Sequence, residues 1–136
     1  MKTFITNSNT ETQKLADDLA KKFTAGIIAL NGDLGTGKTT FVQGFAKGLG
    51  IKEIITSPTF VLIRQHKIPK TTKLFYHIDL YRIDNLTGFG LEEILLNPEN
   101  IVLIEWAEKI IKKLPQKTIQ ISFESLANNK RKIIVH

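Results

Sequence analysis

The sequence predicts an α/β protein with three layers (α/β/α), a mixed, mostly parallel sheet and a C-terminal antiparallel hairpin. Three observations lead to this prediction. Apolar strand-like runs alternate with helix-like segments, as they do in proteins built on parallel strands. A glycine-rich turn joins the second of these runs to a helix-like segment. Near the end of the chain, an Asn-Asn turn separates two further strand-like runs, which indicates a hairpin.

The first half contains four predicted elements, which are strands at 2–6 and 26–31 and helices at 9–23 and 38–49. Ser8 and Glu11 have the spacing of a capping box, in which each side chain satisfies a free backbone N–H at a helix start. Leu15, Leu19 and Phe23 recur at helical spacing after it. The short apolar run at 26–31 is typical of a strand buried on both faces of a sheet.

The second half is richer in strands. Its predicted elements are strands at 59–65, 73–79, 101–104, 118–123 and 133–135 and short helices at 90–96 and 106–113. Residues 101–104 are uninterruptedly apolar, which predicts a buried strand, whereas residues 118–123 alternate apolar and polar side chains as a half-exposed strand does. Asn128 and Asn129 supply the turn of the predicted hairpin.

The length and composition fit one folded domain over residues 1–136. The 136 residues are 42% hydrophobic and 24% charged, which argues against a disordered or low-complexity chain. No cysteine is present, which excludes a disulfide framework, a cysteine-based metal site and a cysteine nucleophile. No apolar run reaches the roughly 18 residues of a membrane span, and the first residues lack a signal-peptide block. We therefore expect a cytoplasmic protein with no membrane partner.

The basic residues are unevenly distributed along the chain. The sequence has 19 Lys and Arg against 13 Asp and Glu, a formal net charge of +6 at pH 7. Residues 1–108 are balanced, whereas residues 109–136 hold seven basic residues against Glu124 alone. Such a surplus is typical of a solvated face, and also of a surface that meets a phosphate-bearing partner. The sequence leaves both interpretations open.

Residues 32–39 match the phosphate-loop pattern G-x-x-x-x-G-K-[ST] at every fixed position. The loop is Gly32, Asp33, Leu34, Gly35, Thr36, Gly37, Lys38 and Thr39. A buried-type strand precedes it and a helix follows it, which is the context that this loop requires. Its glycines allow backbone N–H groups to surround phosphate oxygens, and the helix N-terminus adds to the attraction. The sequence therefore predicts a nucleoside triphosphate site in a P-loop NTPase-like fold.

Phosphoryl chemistry suggests a role for three residues at the end of this loop. Lys38 would bridge the β and γ phosphates, Thr39 would place its hydroxyl on Mg²⁺, and Thr40 could reach the α-phosphate. The expected cofactors are ATP and Mg²⁺. GTP is disfavoured because the N-K-x-D segment that reads guanine is absent from the sequence.

Two carboxylates could complete the site. Mg²⁺ on a triphosphate favours an acid at the end of a neighbouring strand. Glu105 follows the apolar run 101–104, the order of a Walker B element, and Asp79 follows the strand-like run 74–78. Position alone leaves a structural role open for each, because Glu105 could cap the next helix and Asp79 could close a turn.

Other candidates have weaker signals. His77 lies inside an apolar strand, which is typical of a hydrogen-bonded core histidine. Arg82 could stabilise charge or lie on the surface, and spacing does not decide between the two. Ser57 and Thr59 flank a proline on a loop after the first strand–helix unit, where they could sense the γ-phosphate.

Five segments in this order strongly resemble the TsaE family, also called YjeE. They are Gly-Asp-Leu-Gly-Thr-Gly-Lys-Thr-Thr-Phe (32–41), Ser-Pro-Thr-Phe (57–60), Tyr-His-Ile-Asp-Leu-Tyr-Arg (76–82), Gly-Leu-Glu-Glu-Ile (90–94) and Val-Leu-Ile-Glu-Trp (102–106). The resemblance implies a bacterial ATPase that is weak alone and acts with the TsaD and TsaB proteins. That complex transfers threonylcarbamoyl to the tRNA adenosine beside the anticodon, so tRNA would be met indirectly, through the complex.

The resemblance also implies roles for particular residues. Asp79, Lys38 and Glu105 would be catalytic, with Glu105 a Mg²⁺ ligand like Thr39 and with Asp79 near the γ-phosphate. Trp106 would stand beside the site. The family also contacts the nucleotide near the first helix and from the last hairpin, for which the candidates here are Asn9, Thr10 and Arg131. The sequence departs from the family at Thr36, where alanine is usual.

Three rival functions fit the sequence less well. A P-loop small-molecule or nucleotide kinase needs an arginine-rich lid, and the chain has only Arg64, Arg82 and Arg131. A GTP-dependent switch needs the guanine-reading segment that is absent. A plain tRNA-binding protein would need base-stacking aromatic residues on its basic segment 109–136, which holds only Phe123.

Overall fold

The computed structural model describes residues 1–53, 55, 63–81 and 90–136. Its strands are β1 (Lys2–Thr6), β2 (Gly26–Asn31), β3 (Ile63–Lys67), β4 (Leu74–Asp79), β5 (Ile101–Glu105), β6 (Ile119–Ser125) and β7 (Arg131–Val135). Its helices are α1 (Asn9–Lys21), α2 (Lys38–Gly48), α3 (Leu91–Leu96) and a 3₁₀ helix at Ala107–Lys113. None of the helices in these ranges is long and apolar enough to cross a membrane.

The seven described strands form one mixed sheet in the order β1-β7-β6-β2-β5-β4-β3. The four strands β6, β2, β5 and β4 pair in parallel, whereas β3, β7 and β1 pair antiparallel with their neighbours. The predicted mixed sheet and the predicted C-terminal hairpin, β6 with β7, are confirmed. Parallel pairing therefore occupies the centre, and antiparallel strands close both edges.

Helices cover both faces of the sheet, which confirms the three-layer prediction. Side chains alternate between faces along a strand, and every residue from Ile27 to Leu30 of β2 is buried. Ile28 and Leu30 pack in one apolar cluster with residues of α1 and α2, whereas Ile27 and Ala29 pack in a second with α3 and the 3₁₀ helix. An uninterrupted apolar run is what such a doubly covered strand requires.

The first layer depends on close contact between α1 and α2. A Cβ atom added at Gly48 would lie 2.6 Å from the carbonyl oxygen of Asp17, so α2 can lie against α1 only with glycine there. The start of α1 is capped as predicted, because the Ser8 hydroxyl accepts the Glu11 N–H at 3.1 Å. The Glu11 carboxylate accepts a backbone N–H at residue 7, at 3.0 Å.

Several predicted elements differ from the observed ones in their bounds or form. The helix predicted at 9–23 ends at Lys21. The strand predicted at 59–65 is observed as β3 from Ile63, and residues 59–62 lie outside the described ranges. The helix predicted at 106–113 is a 3₁₀ helix in which Ile110 has non-helical angles (φ −129°, ψ 20°). Pro115 ends this short segment, since the residue before a proline prefers extended backbone.

The sheet brings the carboxyl ends of β2, β4 and β5 to one edge. In the parallel register, Leu30 of β2 and Asp79 of β4 both lie opposite Glu105 of β5. The loop after β2 therefore leaves the sheet directly beside these two acids. Ligand sites of open α/β sheets lie at this edge.

Candidate functional site

The loop at residues 32–37 is shaped by glycines at its two ends. A Cβ at Gly32 would lie 2.7 Å from the carbonyl oxygen of Phe123, so this position is too close to β6 for any side chain. Gly37 has φ 99°, a left-handed angle that favours glycine. No side chain among the described residues caps α2 at Gly37, which leaves the first N–H groups of the helix directed at the loop.

Thr36 stabilises the loop from within. Its side chain is buried, and its hydroxyl donates to the carbonyl oxygen of Asp33 at 2.6 Å. An alanine at this position, usual in the family that the sequence resembles, could not form this hydrogen bond. Leu34 at the tip is 66% exposed, so the turn itself faces outward.

The Lys38 ammonium is buried at the mouth of the loop. Its Nζ donates to the carbonyl oxygen of Gly32 and lies 3.8 Å from the centroid of the Trp106 ring. Burial lowers the pKa of Lys38, and the negative charge of Glu105 partly offsets this effect. A buried ammonium beside a helix N-terminus makes this a strongly anion-attracting point.

Trp106 is held in place by its backbone and by Tyr81. Trp106 has φ 60°, and its ring lies 4.8 Å from that of Tyr81 between centroids. Lys109 donates to the carbonyl oxygen of Tyr81 at 2.7 Å, which links Tyr81 to the 3₁₀ helix. The sequence assigned no role to Tyr81, although its spacing after Asp79 in the segment 76–82 was a signal for one.

Glu105 is buried between a hydroxyl and an imidazole. The Thr39 hydroxyl lies 3.3 and 3.4 Å from the two carboxylate oxygens of Glu105. His77, which is fully buried, approaches Oε2 of Glu105 to 2.5 Å with its Nε2. Asp79 lies opposite Glu105 in the sheet register, and its Oδ1 accepts the Tyr81 N–H at 2.9 Å.

One cavity of about 550 Å³ brings most of the predicted site residues together. It is lined by Asn9, Leu34, Gly35, Gly37, Lys38, Thr39, Thr40, Asp79, Tyr81, Glu105, Trp106 and Arg131. Arg131 reaches the loop from β7, and its side chain lies 3.8 Å from the position that a Cβ of Gly37 would take. The first helix, the loop and the last hairpin therefore meet in one space.

Some predicted residues lie apart from this cavity. Gly32, Asp33 and Thr36 shape the loop but do not line the cavity, and Thr10 is exposed outside it. Ser57, Thr59 and Arg82 lie outside the described residues.

The residues present fit a magnesium ion that arrives with a nucleotide. Within the described ranges, no group of three or more His, Asp and Glu could hold a metal by itself. Mg²⁺ in a triphosphate site needs only one or two protein oxygens, because phosphates and water supply the others. The Thr39 hydroxyl and the Glu105 carboxylate, side by side, are oxygens of this kind.

These features define a phosphate-loop protein of the α/β class. They are a parallel central strand, a glycine-rich turn, an uncapped helix start and a buried lysine at that start. The family is shown by comparison of the whole chain. Residues 6–133 match the family model described as "Threonylcarbamoyl adenosine biosynthesis protein TsaE". The chain belongs to the TsaE family, which confirms the resemblance found in the sequence.

Individual relatives agree with this assignment. A Bacillus subtilis protein named tRNA threonylcarbamoyladenosine biosynthesis protein TsaE is 40% identical over 111 residues, which are 79% of this chain and 66% of that protein. The Rickettsia conorii protein of the same name is 42% identical over 92% of this chain and 72% of its own length. The crystal structure of YdiB from Bacillus subtilis superposes with a TM-score of 0.79 at 34% identity, covering 97% of this chain and 82% of that one.

Proposed function

We propose that this protein is a Mg²⁺-dependent ATPase that acts in threonylcarbamoyladenosine modification of tRNA as an accessory to TsaD and TsaB. The observation that carries the proposal is a single cavity in which Lys38, the Thr39–Glu105 pair and Asp79 face the loop of a TsaE family member. The relatives are named for threonylcarbamoyladenosine biosynthesis. Since tRNA is the final substrate of this modification, we place the protein in the cytoplasm.

Nucleotide binding would use the two ends of the cavity. The N–H groups of the loop and of the first turn of α2 would hold the phosphates, with Lys38 as the fixed positive charge. Asn9 and Arg131 lie on the walls formed by α1 and β7, where they could contact the nucleoside. The volume of about 550 Å³ lies within the range of about 300–1,000 Å³ that ligand pockets usually have.

The chemistry would be attack of a water oxygen on the γ-phosphorus, which breaks the bond to the bridging oxygen and releases ADP and inorganic phosphate. Lys38 would neutralise negative charge that develops on the transferred phosphoryl group, and Asp79 would orient the water or the groups that hold it. Thr39 and Glu105 would hold Mg²⁺, which would supply neutralisation of phosphate charge. Positioning and electrostatics would account for most of the rate.

The same site suggests slow hydrolysis by the protein alone. Lys38 is engaged by the Gly32 carbonyl and the Trp106 ring, so it has to exchange these contacts for phosphate oxygens. Partner proteins that favour the exchanged arrangement would speed the reaction. The proposed role is therefore that of an ATPase whose rate depends on its partners.

The direct test is tRNA threonylcarbamoylation over several turnovers by TsaD and TsaB, with and without this protein. We expect sustained turnover with the wild type and a stop near one turnover with Lys38→Ala or Asp79→Ala. Lys47→Ala is the matched control, because Lys47 is an exposed lysine on the same helix and does not line the cavity. Equal turnover without the protein, or with Lys38→Ala, would contradict the proposal.

A further inference from the structure

The buried histidine of β4 makes the shortest side-chain contact with the proposed metal ligand. His77 is 0% exposed, and its Nε2 lies 2.5 Å from Oε2 of Glu105, whose side chain is itself 4% exposed. The Thr39 hydroxyl lies on the same carboxylate at 3.3 and 3.4 Å. Glu105 therefore has one neighbour from the sheet and one from the helix that carries the phosphate loop.

The sheet register explains why these groups meet. His77 lies opposite Leu103, and Asp79 lies opposite Glu105, so His77 and Glu105 are diagonal neighbours on adjacent parallel strands. Their side chains share one face, because residues two apart on a strand point the same way. That face is the one covered by α2, since Leu103 packs in the cluster that includes residues of this helix. The contact is thus set by the backbone of the core.

The chemistry of the contact fixes the tautomer of the ring. A carboxylate that is to bind a metal presents lone pairs, and Nε2 of His77 is placed to donate a hydrogen to it. No described residue forms a hydrogen bond with Nδ1, and an N–H group buried there would be left unpaired. Hydrogen on Nε2, with none on Nδ1, satisfies both constraints.

We propose that His77 is a positioning residue for the magnesium site. Its Nε2–H holds Oε2 of Glu105, so the carboxylate keeps one orientation with its remaining lone pairs available beside Thr39. Held in this way, the carboxylate loses little conformational freedom when the metal and nucleotide bind. This inference rests on the proposed Mg²⁺-dependent ATP site and adds a role for a residue that the sequence pattern placed only in the core.

Two substitutions of similar size test the proposal. In His77→Gln the side-chain amide can reach the position of Nε2, whereas in His77→Asn it reaches only that of Nδ1. Calorimetry measures ATP affinity with Mg²⁺ and, separately, with EDTA. Loss of a partner that orients a metal ligand typically costs about 10–100-fold in metal affinity. We expect His77→Asn to lose about tenfold in the presence of Mg²⁺ and little in EDTA, and His77→Gln to recover most of the loss.

Equal losses for the two variants, or a loss of the same size in EDTA, would overturn the positioning role. His66→Asn is the control, because His66 lies on the neighbouring strand β3, 3.8 Å from Glu53. Wild-type protein that binds no ATP in Mg²⁺ would instead contradict the proposed function, so the two failures are distinguishable.

If either His77 variant fails to fold, the ring nitrogens of the wild type give a second test. Nitrogen-15 NMR is expected to show hydrogen on Nε2 and none on Nδ1 for one histidine, with a resonance shift in Glu105→Gln. Hydrogen on Nδ1 alone, or no response to Glu105→Gln, would overturn the proposal.

Discussion

The body of α2 buries apolar side chains, whereas its first turn buries a charged one. Along its length, α2 contributes aromatic side chains to the apolar cluster, where the rings of Phe41, Phe45 and Phe75 stack at centroid distances of 6.2–6.3 Å. At its first turn, the same helix contributes Lys38 to an edge of the sheet that also buries His77 and Glu105.

The two regions differ in how burial changes the free energy of folding. Apolar burial in the cluster stabilises the fold, at roughly 25 cal/mol per Å² removed from water. Burial of charged groups costs free energy unless they are paired. Lys38, His77 and Glu105 are the ionisable side chains buried among the described residues; Lys38 and Glu105 line the cavity, and His77 contacts Glu105 from within the core. We infer that the body of α2 maintains the fold and that its first turn is kept polar for binding.

The largest expected effect comes from the apolar region. Phe45→Ala should lower the free energy of unfolding by about 3–5 kcal/mol, because it removes a fully buried ring from the cluster. Urea unfolding measures this change. Below its unfolding transition, the variant should still bind Mg²⁺–ATP with nearly wild-type affinity. A folded Phe45→Ala protein that has lost ATP binding would remove the distinction between the two regions.

The corresponding change in the first turn of α2 is Lys38→Met. It keeps the approximate length of the side chain and removes its charge. We expect ATP hydrolysis to fall by about 10²–10³-fold, the usual cost of deleting a group that stabilises transition-state charge. The free energy of unfolding should stay the same or rise, because a desolvated ammonium is replaced by an apolar group. Steady-state phosphate release and urea unfolding give the two values, and Lys47→Ala provides the baseline. A large loss of stability would mean that Lys38 is part of the structural core.

A double-mutant cycle measures the coupling between Lys38 and the Trp106 ring that lies beside it. Trp106→Leu removes the ring beneath the Lys38 ammonium, and the contact between a cation and a ring contributes about 0.5–2 kcal/mol. We expect a coupling of about 1 kcal/mol between Trp106→Leu and Lys38→Met in the free energy of unfolding. Additive single and double changes would show that the two side chains act independently.

The smallest expected effect is that of Thr36→Ala. This change removes the hydrogen bond to the Asp33 carbonyl, at a cost of about 0.5–1.5 kcal/mol, while the loop N–H groups keep their positions. ATP affinity measured by calorimetry should therefore fall less than about tenfold. A larger loss would assign the Thr36 side chain a direct part in binding.

Much of this architecture could be predicted from the sequence, because local signals agree with the fold. The apolar run before the loop, the capping residue Ser8 and the Asn128–Asn129 turn each predict their element from neighbouring residues alone. The positions of Glu105 and Asp79 follow from the rule that parallel strands end at a common edge. Membership in the TsaE family was also visible in the segments of the sequence.

The remaining features depend on distances that a linear pattern does not contain. The contact between His77 and Glu105 requires the register of β4 against β5, which no short-range spacing reveals. The position of the Lys38 ammonium over Trp106 depends on the left-handed backbone of Trp106. The 3₁₀ form of Ala107–Lys113, with its non-helical angles at Ile110, is a backbone detail that the apolar spacing of this segment does not distinguish from an α-helix.

Binding of a triphosphate by the loop at residues 32–39 can be measured by titrating folded wild-type protein with ATP and Mg²⁺ in a calorimeter. We expect saturable binding of one nucleotide per chain, with Lys47→Ala matching the wild type and Lys38→Met binding much more weakly. Absence of binding heat from protein that is folded by circular dichroism, at several temperatures, would contradict this expectation.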